Sequence, residues 1–136
     1  MTIRFAAAPA VFAAVLWFAP AAGAQSVNID GAWADSAKTC SKVFEKRDGR
    51  ISLRKDSDAF GNGFVIDGNR IIGKLATCNV KVRKQQGDTI NLVSTCATSV
   101  AFEHVQIHLK IVGPDKITQI FPGVPELEVT YERCQL

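Results

Sequence analysis

From Gly49 to the C-terminus, apolar and polar residues alternate in short runs, and each run ends at a turn signal. A period of two lets one face be buried while the other stays wet, which is the pattern of a β-strand and not of a helix. Residues 101–112 carry it most cleanly, with Val105, Ile107, Leu109 and Ile111 on one face and His104, Gln106, His108 and Lys110 on the other. Turn chemistry divides the rest. Ile51 and Leu53 share a face in residues 50–54, and a polar, glycine-punctuated loop follows over 56–63. Residues 64–66 run into Asp67-Gly68, a dipeptide that accepts the positive φ angles of a tight hairpin. Residues 70–84 read as one long strand bent at Gly73, and 85–88 turn it into 89–98. Gly113-Pro114-Asp115 leads into 116–121, and a loop holding Pro122, Gly123 and Pro125 leads to the last strand, 127–134. Six or seven strands at hairpin spacing predict a mainly β, single-domain antiparallel meander that closes into a small barrel, because closure removes the unpaired edges that invite aggregation. One short N-terminal helix is expected, capped by Asp35 or Ser36, with Ala37, Cys40, Val43 and Phe44 on one face and an end near Asp48-Gly49.

The N-terminus has a different character. Arg4 is the one charge in residues 1–24; an apolar run follows it, and Ala22-Gly23-Ala24 closes the segment. That is the layout of a secretory signal peptide with cleavage after Ala24. The run is about 15 residues and contains Pro9, short of the ~20 that a spanning helix needs. The expectation is a leader over 1–24 and one exported domain over 25–136, periplasmic or secreted, with no transmembrane segment. Loss of Arg4 leaves fifteen bases against thirteen acids, a net charge of +2.

Four cysteines, Cys40, Cys78, Cys96 and Cys134, fall in that domain. An even number in a small exported chain reads as disulfides. Zinc would need close pairs such as C-x-x-C, and none is present. Centring the 85–88 turn on Gly87 opposes Val82 to Leu92, Val80 to Ser94 and Cys78 to Cys96. Opposed residues approach disulfide reach, so Cys78–Cys96 is expected and Cys40–Cys134 takes the remainder. The rival connectivity, Cys40–Cys78 with Cys96–Cys134, stays open at this point.

Gly31-Ala32-Trp33 lies on the first plausible strand, after Val27 and Ile29, with Cys40 soon after it. A Gly-x-Trp opening in a small exported β-domain resembles lipocalin-like barrels, avidins and small periplasmic protease inhibitors. The resemblance implies that Gly31 and Trp33 are structural, with the Trp closing the barrel floor. The whole chain also resembles small exported proteins of alphaproteobacteria.

Catalytic groups are not apparent. There is no G-x-S-x-G elbow, and oxidised cysteines offer no thiolate. His104 and His108 are the only histidines; on a strand they stand about 13 Å apart, too far to share an ion, so no metal site is expected. Asp56/Asp58 fall in a loop, and Glu126, Glu128 and Glu132 at the last strand. Acid–base work needs a pocket that separates pKa values, and nothing in the pattern supplies one. Charge is most uneven between Lys42 and Lys55, where Lys42, Lys46, Arg47, Arg50, Arg54 and Lys55 face only Glu45 and Asp48. Lys81, Arg83 and Lys84 form a second cluster. The first is a candidate patch for an anionic envelope component or an acidic protein surface. Few aromatics lie among the bases, which argues against nucleic acid. Loops around Phe60, Phe64 and Phe121 are candidate rim contacts.

These features predict a non-enzymatic exported binding or inhibitor-like module without a cofactor. The alternatives are a disulfide-stabilised structural or stress-related envelope protein and, third, a barrel with a small-ligand cavity.

Overall fold

The computed structural model describes residues 26–136, so the leader expected over 1–24 lies outside the described residues. Ten strands and one short helix run in chain order: β1 (Gly31–Ala34), α1 (Cys40–Val43), β2 (Phe44–Arg47), β3 (Arg50–Leu53), β4 (Gly63–Asp67), β5 (Arg70–Gly73), β6 (Thr77–Gln86), β7 (Thr89–Ala97), β8 (Phe102–Gly113), β9 (Lys116–Ile120) and β10 (Glu128–Arg133). β4 to β10 pair in chain order as an antiparallel meander, and β1 fills the gap between β4 and β10 to close an eight-stranded barrel. β2 and β3 form a separate hairpin outside it.

Three local expectations are corrected. The helix ends at Val43, so Phe44 begins a strand and Asp48-Gly49 turns a hairpin instead of ending a helix. Asp48 and Gly49 both take positive φ there, the conformation of a tight turn, and β2 gains β3 as a partner. The long strand over 70–84 is two strands, because the chain reverses over 74–76 and pairs Ile71 with Cys78. The third correction is register. Cys78 opposes Cys96 and Val80 opposes Ser94 as expected, but a bulge between Val80 and Val82 sets Val82 against Val93 and not Leu92. The tip turn is therefore tighter than a Gly87-centred one, and the bulge at Lys81 restores the register at the cysteines.

Alternation sorts the side chains into two cores. Inside the barrel lie Ile29, Trp33, Ile66, Ile71, Cys78, Val80, Ile90, Leu92, Cys96, Leu109 and Ile117. Outside it, Ala32, Ala34 and Val65 on the outer wall meet Val43 and Phe44 of the helix–hairpin flap, with Cys40 and Cys134 among them. The sulfurs follow the same division. Cys78–Cys96 bridges neighbouring strands inside the lumen, and Cys40–Cys134 ties the flap to the end of the last strand. The rival connectivity is excluded. Gly63 explains how the flap sits so close: a Cβ there would meet the Trp33 carbonyl oxygen at 2.8 Å and the Phe44 ring at 2.7 Å. Among the described residues no helix is long and apolar enough to cross a membrane.

Candidate functional site

The two ends of the barrel differ. One is sealed by the chain that precedes β1. Gln85 Oε1 accepts from the Val27 amide at 3.0 Å, and Arg83 donates to the Val27 carbonyl. The bulge at Lys81 is what permits this, since it shifts the side-chain alternation of β6 before Arg83 and Gln85. Trp33, 1% exposed, donates its indole N–H to the Ile29 carbonyl at 2.9 Å. Arg133, at the end of β10, lies over the Trp33 ring at 4.3 Å and donates to the carbonyls of Asn28, at 3.1 Å, and Asp30. Asp115 holds its Nε at 3.3 Å. Gly31 has φ +127°, and a Cβ there would come within 3.1 Å of the Arg133 guanidinium. The Gly-x-Trp opening is therefore the floor of this barrel: Gly31 admits the arginine, and Trp33 carries it. Sequence reasoning missed Arg133, because Asn28, Asp30 and Trp33 lie about a hundred positions upstream of it and no local pattern marks it.

The other end is open. Loops over 60–62, 74–76, 98–101 and 121–127 surround it, joining the strand ends opposite the floor. Beneath them, Phe64, Ile66, Ile71, Gly73, Ala76, Cys78, Ile107, Leu109 and Gln119 line a lumen cavity of about 170 Å³. Its lining is apolar apart from the Gln119 amide. An eight-stranded barrel is just wide enough for side chains to fill it, so a residual space arises where Gly73 and Ala76 contribute almost none. Phe64 meets Tyr131 edge-to-face at 4.8 Å beside the mouth. Burial, aided by the Asp35 carboxylate, raises the Tyr131 phenol above its usual value, so it stays neutral.

The rim is apolar. Leu75, Val100 and Phe102 are 85%, 91% and 83% exposed, and Phe60, Val124 and Leu127 are exposed as well. Folded chains rarely gather so many exposed apolar side chains without a use for them. Of the rim residues proposed from sequence, Phe60 is at the surface, Phe64 faces the lumen, and Phe121 is half-buried.

The basic stretch over 42–55 is not one continuous cationic surface. Lys42 sits 5.4 Å from the Phe60 ring centre; Lys46 donates to the Leu136 carbonyl at 3.2 Å. Glu45 pairs with Arg47 at 2.9 Å and approaches Arg54 at 4.0 Å. Arg54 also donates to the carbonyls of Ser41 and Phe44, so it pins the flap. Arg50 borders a groove between the hairpin and the barrel wall, opposite Asp30 and Asp67, and Lys55 is exposed.

Other polar candidates are in structural use. His104 hydrogen-bonds Thr95 and His108 hydrogen-bonds Asn91, each across to β7. Asp58 pairs with Lys74 at 3.3 Å; its carboxyl is held below the ordinary value by a backbone hydrogen bond, then by Lys74. Glu132 accepts from the Ala37 amide at 2.7 Å and pairs with Lys116 at 3.6 Å. Compared with protein-family models, curated proteins and solved structures, the chain finds no match.

Proposed function

We propose that the protein is an exported, non-enzymatic binding module that grips an apolar group of its partner at the open end of the barrel. The observation that carries this reading is the apolar lumen cavity of about 170 Å³ beneath a rim of exposed Phe60, Leu75, Val100, Phe102, Val124 and Leu127. A cavity of about 150 Å³ with apolar walls admits a benzene ring, so the space fits one aromatic or short aliphatic group. Rim side chains then cover the remainder of the partner, and Gln119 offers one hydrogen-bonding group inside. The two disulfides support export, because such bonds persist in oxidising compartments. The resemblance to lipocalin-like barrels rests on Gly31 and Trp33, which lie at the sealed end.

The test is an NMR titration of the oxidised domain with benzyl alcohol. Saturable shifts are expected at the Ile71, Ile107 and Leu109 methyl groups. Gly73→Leu should abolish them, since its Cβ meets only the Ala76 carbonyl, at 3.4 Å, and the side chain would extend into the cavity. Shifts that scatter over the surface, or that survive Gly73→Leu, overturn the reading and favour a structural envelope role.

A further inference from the structure

A second cationic surface lies on the barrel wall, away from the basic segment that stands out in sequence. β5 to β9 carry Arg70, Lys81, Arg83, Lys84, Lys110 and Lys116, and their only carboxylate is Glu103. Registers and alternation order the outward side chains into rows across the wall. One row runs Arg70, Asn79, Thr95, His104; the next centres on Val82, Val93 and Gln106. A third runs Lys84, Asn91, His108, Ile120, and a fourth Gln86, Thr89, Lys110, Thr118. Lys81 stands at the bulge between the first two. Arg70, Lys81, Lys84 and Lys110 are exposed, and none has a carboxylate within ion-pair distance among the described residues. Acids appear at the borders: Asp67 beside Arg70, Asp88 in a turn, Glu103 at the open-end rim, and Glu128 and Glu132 on β10. Above the first row, Arg70, Thr77, Asn79, Lys81, Thr95 and Phe102 line a groove of about 450 Å³.

We infer that this outer wall, β5 to β9, binds a linear acidic polysaccharide. Four points lead there. The cations are spread over about 20 Å of strand, six residues at ~3.3 Å each, so they suit a chain of separated charges better than one small anion. Between them stand Asn79, Asn91, Gln106, Thr89 and Thr95, whose amides and hydroxyls donate and accept as sugar hydroxyls require. Phe102 presents an exposed ring at the groove, a surface for the apolar face of a sugar. Single-stranded nucleic acid would need a series of aromatic platforms for its bases, and this wall has one large ring, Phe102, besides the imidazoles of His104 and His108, which hydrogen-bond Thr95 and Asn91. The wall shares Phe102 with the open-end rim but none of its cations, so variants of Lys81, Lys84 and Lys110 test it separately from the binding role of the open end.

The experiment measures binding of the oxidised protein to oligogalacturonate, with neutral dextran and single-stranded DNA as comparisons. Expected is saturable binding to oligogalacturonate that weakens steeply as salt rises, and none to dextran. K81E/K84E/K110E should weaken it at least tenfold, and the charge-neutral K81Q/K84Q/K110Q should do so by a smaller factor. R47E/R50E, on the flap, should leave it within twofold. The thermal unfolding midpoint of each variant verifies folding, and the Gln set serves if the Glu set does not fold. Absence of binding at low salt, equal binding by the Lys variants and wild type, or tighter binding to DNA would each overturn the inference.

Discussion

Arg133 joins three parts of the fold through one side chain. It stacks on Trp33, donates to two carbonyls of the sealing segment and pairs with Asp115. Its side chain is only 19% exposed, so those contacts are made largely out of water. Hydrogen bonds involving a charged group contribute a net ~1.5–3 kcal/mol each, and a desolvated cation–π contact adds up to ~2. Arg133→Ala should therefore destabilise the domain by about 3 kcal/mol in urea unfolding. Arg133→Lys should recover little of it, because a point charge cannot span both carbonyls and lie flat on the indole. A loss below ~1 kcal/mol would mean that the sealing segment holds without its clamp.

At the level of elements, the flap is the part least secured by pairing. The β2–β3 hairpin joins no other strand, and the flap rests on a small apolar cluster and on Cys40–Cys134. That bridge closes 94 residues of separation, and on the chain-entropy model such a loop is worth about 4–5 kcal/mol, against about 3 for the 18 between Cys78 and Cys96. Replacing Cys40 and Cys134 together by Ala should lower stability more than the matching Cys78/Cys96 pair does, as measured by denaturant midpoints under non-reducing conditions. A second tether is ionisable. The Ala37 amide, and then Lys116, hold the Glu132 carboxyl below its ordinary 4.5 against the opposing effect of burial. A depressed folded value means that the tether is complete above pH 4.5 and is lost as pH falls through the depressed value. The Ala37 amide resonance should titrate with a midpoint below 4.5 in the wild type and stay flat in Glu132→Gln.

Across the whole molecule, three surfaces differ in character: a sealed floor, an open apolar rim and a cationic wall. Rim residues are exposed, so they contribute little to folding; surface substitutions of this kind usually stay within about 0.5 kcal/mol each. L75S/V100S/F102S should unfold within a few degrees of the wild type while losing most of its enhancement of a hydrophobic dye's fluorescence. A large drop in unfolding temperature would show instead that these side chains pack against the barrel in solution.

Strand character, the order of hairpins and the Cys78–Cys96 pairing were legible in the chain, because they depend on alternation and turn residues within a few positions of one another. The Gly-x-Trp spacing singled out Gly31 and Trp33, but no local pattern marked Arg133, which lies over the Trp33 ring. The Val43 helix end and the reversal at 74–76 went unread too: Asp48-Gly49 serves equally to end a helix or to turn a hairpin, and Lys74-Leu75-Ala76 holds no strong turn residue. The basic wall was hidden for another reason. Its cations are scattered from Arg70 to Lys110 and become neighbours only across paired strands, whereas Lys42 to Lys55, adjacent in sequence, are turned to different sides or neutralised by Glu45. Period and local turns determine which residues lie in a strand and which face they take; the distances between faces are set by closure of the barrel.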